Sequence, residues 1–356
     1  MSVKSDDPTW ILAIESSCDD TSVAVLRDGV TLVANVNQTQ AATHAAYGGI
    51  VPEAASRIHA EAIDVVCQAA VDQAEVPMED ISSVAVTIGP GLPGSLLVGL
   101  EFARGLAQGL DVPLIPVNHL EGHVAAAWLN ADPPPQFPAI ALIVSGGHTE
   151  LVKVQARGQY SVLGRTRDDA AGEAFDKVAR MLGLGFPGGP AIEMAASQTK
   201  TSPFELPRAW IKGTSDFSFS GLKSSVRRLL EDSLGPDEIE NIVSDSVGDG
   251  FSENDPGFVS QVALAFEEAV VDVLVTKTVA AACSHQVDSI IVTGGVAANS
   301  RLRRKMRLSA PVSLHVPDPV YCTDNAAMIG MAGAWALARG DFGEKPLSIE
   351  PSLQLS

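Results

Sequence analysis

One structural plan occurs twice in this chain. Ile11–Ile14, the polar run Glu15-Ser-Ser-Cys-Asp-Asp-Thr21 and Ser22–Leu26 read as a strand, a turn and a returning strand. Ala139–Val144, Ser145-Gly-Gly-His-Thr149 and Glu150–Val154 read the same way. Short apolar runs joined by a tight polar segment are a hairpin signal, so the duplication predicts two related lobes facing each other. A third strand, Ser289–Thr293, ends in Gly294-Gly295 and leads into a basic helix over Arg301–Arg307. Apolar residues at three- and four-residue spacing predict helices over roughly Pro52–Ala74, Leu96–Leu110, Glu173–Leu182 and Val259–Ala282.

The chain has 356 residues, more than one compact core usually organises. Ala131-Asp-Pro-Pro-Pro-Gln-Phe-Pro138 cannot support a helix or an inner strand and reads as the link between lobes. The expected division is 1–130 and 139–325, with about 326–356 returning to complete the first lobe. Hydrophobic residues make up 46% but aromatics only 5%, so the core is built from Ala, Val, Leu and Ile, a mixture common in α/β proteins. Residues 231–255 are acidic, carry Gly and Ser, and contain no Lys or Arg; they read as a solvated insertion.

The net charge of −19 argues against polyanion binding over the whole surface. A nucleic-acid substrate would need a basic partner or a local patch, and Lys223–Arg228 and Arg301–Arg307 are the two local basic clusters. The four cysteines are scattered with no CxxC, which fits a reducing compartment and implies neither a zinc ribbon nor a disulfide framework. The first residues carry no apolar signal core, and no apolar run approaches a membrane span. A soluble cytoplasmic protein without a membrane partner is expected.

His119-Leu-Glu-Gly-His123 places two imidazoles four residues apart. On a helix both rings share one face, as a divalent metal requires of two nitrogen ligands. The alternative is a packed or capping pair. A metalloprotease helix reads H-E-x-x-H, but Glu121 lies two residues from each histidine, about 200° around a helix, and points away from the ligand face. A third ligand is needed; Asp324, just before an apolar helical stretch, could cap that helix or complete the site.

Ser145-Gly146-Gly147, Gly294-Gly295 with Asn299, and Phe186-Pro-Gly-Gly-Pro190 after a helix bearing Asp176 are glycine turns at element ends. Such turns let main-chain amides approach an anion, and three of them make a nucleotide cleft the better reading. Neither GxxxxGK[ST] nor GxGxxG occurs, so a P-loop or dinucleotide fold is not supported. Gly89-Pro-Gly-Leu-Pro-Gly94 reads as a rigid turn with Ser95 capping the next helix. His44, Tyr47-Gly-Gly49, Glu53, Arg57 and His59 form a polar set in which Glu53 and Arg57 could pair.

The segments ILAIESSCDDTSVAV, HAAYGGIVPEAASRIHAEAI, VTIGPGLPGSLLVGLEFARGLA, NHLEGH, LIVSGGHTEL, DDAAGEAFDKVARMLGL, PGGP, FSFSGLKSSV, VTGGVAANSRLR and TDNAAMIG together resemble the TsaD family of tRNA N6-adenosine threonylcarbamoyltransferases. The likeness runs from about Trp10 to Ala338. It implies an actin-like/Hsp70-like ATPase (ASKHA) fold, with two duplicated lobes around a nucleotide cleft. It implies transfer of threonylcarbamoyl from threonylcarbamoyl-AMP to N6 of adenosine 37 in tRNAs reading codons that begin with A. The family's metal ligands fall on His119, His123 and Asp324, and its substrate positions on Ile143, Val144, Ser145, Gly146, Gly147, Asp176, Gly189, Glu193 and Asn299.

The resemblance favours one Fe(2+) per subunit, while two nitrogens and an oxygen suit Zn(2+) as well. It also implies an adenine nucleotide (threonylcarbamoyl-AMP or ATP) in the cleft. Implied partners are tRNA, a TsaB-type paralogue, a TsaE-type ATPase and a TsaC-type enzyme that supplies the adenylate. The expected TsaB contact is on the helices Pro52–Ala74 and Leu96–Leu110, whose Ala54, Ala55 and Ala62 allow close packing. No residue stands out as general base; His44, Glu53 and His148 are the candidates. A small-molecule kinase of the same fold would share the glycine turns but has no use for paired histidines. A metalloprotease would leave the glycine turns unexplained, and an assembly scaffold would need no intact site.

Overall fold

The computed structural model describes residues 8–47, 49–233, 256–342 and 347–356. Most of the acidic stretch 231–255, and Gly48 of the Tyr47-Gly-Gly49 turn, lie outside the described residues. In chain order the first half contains β1 (Trp10–Glu15), β2 (Asp20–Arg27), β3 (Thr31–Thr39), α1 (Ala41–Ala45), α2 (Pro52–Ala74), β4 (Ser83–Gly89), α3 (Pro93–Leu110), β5 (Leu114–Asn118) and α4 (His119–Ala125). The second half contains β6 (Ala139–Val144), β7 (Thr149–Ala156), β8 (Gln159–Arg165), α5 (Ala171–Met181), α6 (Gly188–Ser197), α7 (Ser220–Ser233) and α8 (Pro256–His285). It ends with β9 (Ser289–Thr293), α9 (Ser300–Ser309), β10 (Ser313–His315), α10 (Pro319–Cys322) and α11 (Ala326–Arg339).

Two five-stranded sheets repeat one topology, β3-β2-β1-β4-β5 and β10-β9-β6-β7-β8. In each, the central strand pairs antiparallel with the strand that follows its turn and parallel with a strand reached through helices. The duplication read from the two hairpins is therefore a duplication of whole sheets. β1 and β6 are buried almost throughout, and such uninterrupted apolar runs suit strands covered on both faces. Helices α2 and α3 pack on the first sheet's β2, β3 and β4, while α11 covers β1, β2, β4 and β5. The chain's last helix thus serves the first sheet. In the second sheet, α8 lies along β6 and β9 and joins α5, α6 and α9 in one large apolar cluster.

Helix ends follow local chemistry, with one departure from expectation. α3 begins at Pro93 rather than at a Ser95 cap; proline at the first helical position needs no amide partner, and Ser95 is buried inside the helix. The preceding turn is held against the β1–β2 turn, since Leu92 N donates to the Ser17 carbonyl at 2.8 Å. A Cβ at Gly91 would meet that same carbonyl at 2.5 Å, so only glycine allows the approach. Among the described residues no helix is long and apolar enough to cross a membrane.

Candidate metal centre and nucleotide cleft

α4 is short and well anchored: the Asn118 side chain caps it, accepting from Leu120 N and Glu121 N. Gly122 faces α11, where a Cβ would meet Ile329 at 2.7 Å, so the two helices pack closely. On the far side of α4, Thr293 of β9 donates its hydroxyl to the His123 carbonyl at 2.8 Å. The helix is thus fastened to both sheets.

Both histidines are buried on one face of α4, with ring centroids 4.7 Å apart. Asp324 Oδ1 lies 3.5 Å from His119 Nε2 and 3.3 Å from His123 Nε2. One ligand atom from each residue fits within 4.8 Å of the others. Asp324 is free for this because its neighbour Asn325 caps α11, accepting from Met328 N. Both ring nitrogens of His123 lack a hydrogen-bond partner among the described residues. A buried imidazole left so is costly, and a cation facing Nε2 would remove the part of that cost that falls on this nitrogen. Two imidazole nitrogens and one carboxylate oxygen fit a divalent metal ion.

Glu15, which none of the sequence signals singled out, completes the arrangement. Fully buried at the end of β1, it accepts from His119 Nδ1 at 2.9 Å and from the Thr87 hydroxyl at 2.7 Å. The backbone amide of Ser17 donates to its other oxygen. This fixes the proton of His119 on Nδ1 and turns Nε2 toward Asp324, the orientation a metal-bound histidine needs. Charges follow the same geometry. Burial opposes ionisation of Glu15 and Asp324, but the histidines outweigh it and hold both carboxyls below their ordinary range. Burial would lower His119, yet Asp324 and Glu15 push it up to about 9. A site with this field draws a positive charge, either a proton or a metal ion. Burial keeps His123 low and takes His148 down to about 4.

The glycine turns border the same region. Ser145 and His148 close the β6–β7 turn, with Ser145 N donating to the His148 carbonyl at 2.8 Å. A Cβ at Gly146, Gly147, Gly189 or Gly295 would meet nothing within 4 Å, so packing does not demand glycine there and the space beside them is open. Gly294 differs: with φ of +92°, it turns against the Val144 carbonyl, which a Cβ would meet at 2.4 Å. Asp176 holds the next turn by accepting from Gly188 N at 2.7 Å. Glu193 and Asn299 come together where α6 meets the start of α9: Ser300 N donates to Glu193 Oε1 at 3.0 Å, and Asn299 Nδ2 lies 3.5 Å from Glu193 Oε2. Ile143 and Val144 are buried in β6 directly before the Ser145 turn.

A family model described as TsaD, tRNA N6-adenosine threonylcarbamoyltransferase, matches residues 31–331. The chain belongs to the TsaD family. It is 49% identical to the Salinibacter ruber protein, over 97% of this chain and 99% of that one. It is 46% identical to the Thermomicrobium roseum protein, over 97% and 96%. Both relatives are named tRNA N6-adenosine threonylcarbamoyltransferase, which makes this TsaD-family chain a transferase.

Two solved structures share its fold at low identity. Component A of the Acidaminococcus fermentans (R)-2-hydroxyglutaryl-CoA dehydratase gives a TM-score of 0.51 at 14% identity, covering 94% of this chain and 98% of that one. HypF from T. kodakarensis gives 0.59 at 15%, covering 93% and 48%. With its duplicated sheets, the chain has the actin-like/Hsp70-like ATPase fold.

The competing readings fare unequally. Glu121 points away from the metal group, accepting from the Tyr160 hydroxyl at 2.9 Å and pairing with Arg339, so it cannot serve as a protease base. Neither relative named above is a kinase. Of the three general-base candidates, His148 lies beside His119, with centroids 6.5 Å apart. His44 has both ring nitrogens engaged, by Gln40 and by Val51 N. Glu53 is exposed and pairs with Arg57 at 2.7 Å.

The basic clusters carry less free charge than their sequence suggests. Arg301 pairs with Glu267 and Glu268, Lys305 with Asp272, Lys223 with Asp169 and Arg227 with Glu231.

Proposed function

We propose that this protein transfers the threonylcarbamoyl group from threonylcarbamoyl-AMP to N6 of adenosine 37 in tRNAs reading codons that begin with A. The observation that carries the reading is the convergence of His119 Nε2, His123 Nε2 and Asp324 Oδ1, with His123 unpartnered, beside open glycine turns. An exocyclic adenine amine is a poor nucleophile, so the carbamoyl carbonyl must be polarised and the AMP leaving group held. One divalent metal per subunit, Fe(2+) or Zn(2+), supplies the first when bound.

The chain's own residues do the rest. Glu15 keeps His119 in the ligating orientation. The Gly146 and Gly147 amides, following Ile143, Val144 and Ser145, are the donors this turn would offer to the phosphate, since the Ser145 amide closes the turn itself, and the α9 N-terminus behind Asn299 adds a favourable dipole. Asp176, beside Gly189, and Glu193 accept ribose hydroxyls. Of the three general-base candidates, His148 is the one beside His119, while His44 is engaged at both ring nitrogens and Glu53 is paired with Arg57.

In this reading residues 1–130 with about 326–356 form one lobe and 139–325 the other. The protein works in the cytoplasm with a TsaB-type paralogue, a TsaE-type ATPase and a TsaC-type supplier of the adenylate. The partners provide positive surface that the chain lacks, since its net charge is −19 and half of the basic residues in its two clusters are ion-paired. The test incubates unmodified tRNA with threonylcarbamoyl-adenylate, metal-loaded protein and the TsaB-type partner, followed by nucleoside mass spectrometry. Threonylcarbamoyladenosine is expected, and its loss in His123→Ala would tie it to the metal group. Absence of product even with the TsaE-type ATPase added would sink the reading.

A further inference from the structure

α8 is an apolar helix, and Phe266, Ala269 and Val270 around Glu267 are fully buried. Glu267 itself is only 2% exposed, which is costly for a carboxylate unless each oxygen is bonded. Each is. Oε1 accepts from Asn299 Nδ2 at 2.7 Å and Oε2 from Arg301 Nε at 2.5 Å. Arg301 has a second carboxylate in Glu268, at 3.2 Å. What Glu267 alone supplies is the close acceptor for Asn299.

Asn299 is just 6% exposed, and its amide is almost fully used. Oδ1 accepts from Leu302 N at 2.8 Å, which caps α9, and Nδ2 faces Glu267 on one side and Glu193 on the other. Turning the amide over would set Nδ2 against the Leu302 amide and Oδ1 against a carboxylate, so Glu267 and Leu302 together fix its orientation. Glu193 in turn is held by Ser300 N, the next residue of the same turn.

We infer that Glu267 is a positioning residue for the nucleotide side of the cleft: it locks the Asn299 amide, and through it the Gly294–Asn299 turn and the Glu193 carboxylate. The inference rests on the reading above that Glu193 and Asn299 border the nucleotide. The group needed at position 267 is an oxygen acceptor rather than a charge, because Glu268 still pairs Arg301 when Glu267 is neutral.

The experiment uses full-length, metal-loaded protein with its partner and three variants, Glu267→Leu, Glu267→Gln and Asn299→Ala. Hydrogen exchange at Ser300–Leu302 without nucleotide reads the positioning itself. Protection should fall in Glu267→Leu and recover in part in Glu267→Gln, whose amide oxygen accepts from Asn299 once Arg301 swings from position 267 to Glu268. In turnover, Glu267→Leu should raise KM for threonylcarbamoyl-adenylate about tenfold with kcat within about twofold, roughly the loss of one buried hydrogen bond. The double variant Glu267→Leu/Asn299→Ala should be no worse than Asn299→Ala alone.

Unchanged exchange in Glu267→Leu, failure of Gln to restore any of the lost protection, or full additivity in the double variant would overturn the inference. Lowered protection with KM unmoved in both Glu267→Leu and Asn299→Ala would instead leave Glu267 bracing the turn and remove the turn from the nucleotide site. These two failures are therefore separable.

Discussion

The β1–β2 turn and the β6–β7 turn hold equivalent places in two sheets of one topology, yet their chemistry is opposite. The first runs Glu15-Ser-Ser-Cys-Asp-Asp20, with three acids and no glycine; the second runs Ser145-Gly-Gly-His148, with two glycines and no acid. The first turn is packed and bonded: Ser16 Oγ donates to the Ser95 carbonyl, Ser17 is tied to α3's entry, and Glu15 grips His119. The second leaves open space beside its glycines. Duplication supplied two similar corners. One orients His119 through charge, and the other leaves open space beside its glycines.

The largest effect that would break this contrast lies at the donors themselves. His123→Ala or Asp324→Ala should lose metal by elemental analysis and lower transfer at least about a thousandfold, the size expected when several kcal/mol of electrostatic help disappears. Circular dichroism should show the fold intact, and full activity in a metal-free variant would remove the metal from the mechanism. Next is Glu15→Gln, which keeps the volume but weakens the grip on His119. Metal affinity should fall about 10- to 100-fold, as for other groups that orient a ligating histidine; competition with a chelator measures it, and unchanged affinity would make Glu15 a bystander.

The second corner should respond differently. Gly147→Ala adds a Cβ that meets no atom within 4 Å, so its thermal midpoint should match the parent protein. KM for the adenylate should rise about tenfold if amides there approach the phosphate. A large loss of stability with KM unmoved would show that the glycine serves the fold.

The smallest effect concerns Asp20. Burial raises its carboxyl to about 7, and one oxygen lacks a hydrogen-bond partner among the described residues. The folded state therefore holds this proton more tightly than the unfolded chain. Its stabilising contribution is full at low pH and is lost as pH rises from the ordinary carboxylate range through about 7. Asp20→Asn should flatten that decline and gain on the order of 1 kcal/mol at pH 8 relative to its value at pH 4. Parallel urea curves at the two pH values would decide it.

Legibility in the sequence followed the range of the forces involved. The two hairpins, β9 and the four long helices were visible because their patterns are local; α2 spans Pro52–Ala74 as its periodicity predicts. β5 was hidden because Leu114-Ile-Pro-Val-Asn118 contains a proline, and β3 because its exposed edge breaks the alternation. The His119–His123 spacing announced itself. Asp324 was ambiguous between cap and ligand until the structure gave the cap to Asn325. Glu15 and Glu267 carry no local signal: the first reaches a histidine 104 positions away, and the second sits in a helix whose apolar run conceals a single buried acid.

The double fastening of α4 has a mechanical consequence. A body gripped by two parts that rotate against each other lies near the axis, where displacement is least. α4 packs on α11 and the first sheet, while Thr293 of the second sheet holds its His123 carbonyl. Any swing of one sheet against the other would therefore turn about the histidines like doors about a shared post. The spacing among the donors should hardly change, because α4 carries both histidines and Asp324 leads into α11, which packs on α4. Metal dissociation constants measured with and without AMP should then agree within about twofold.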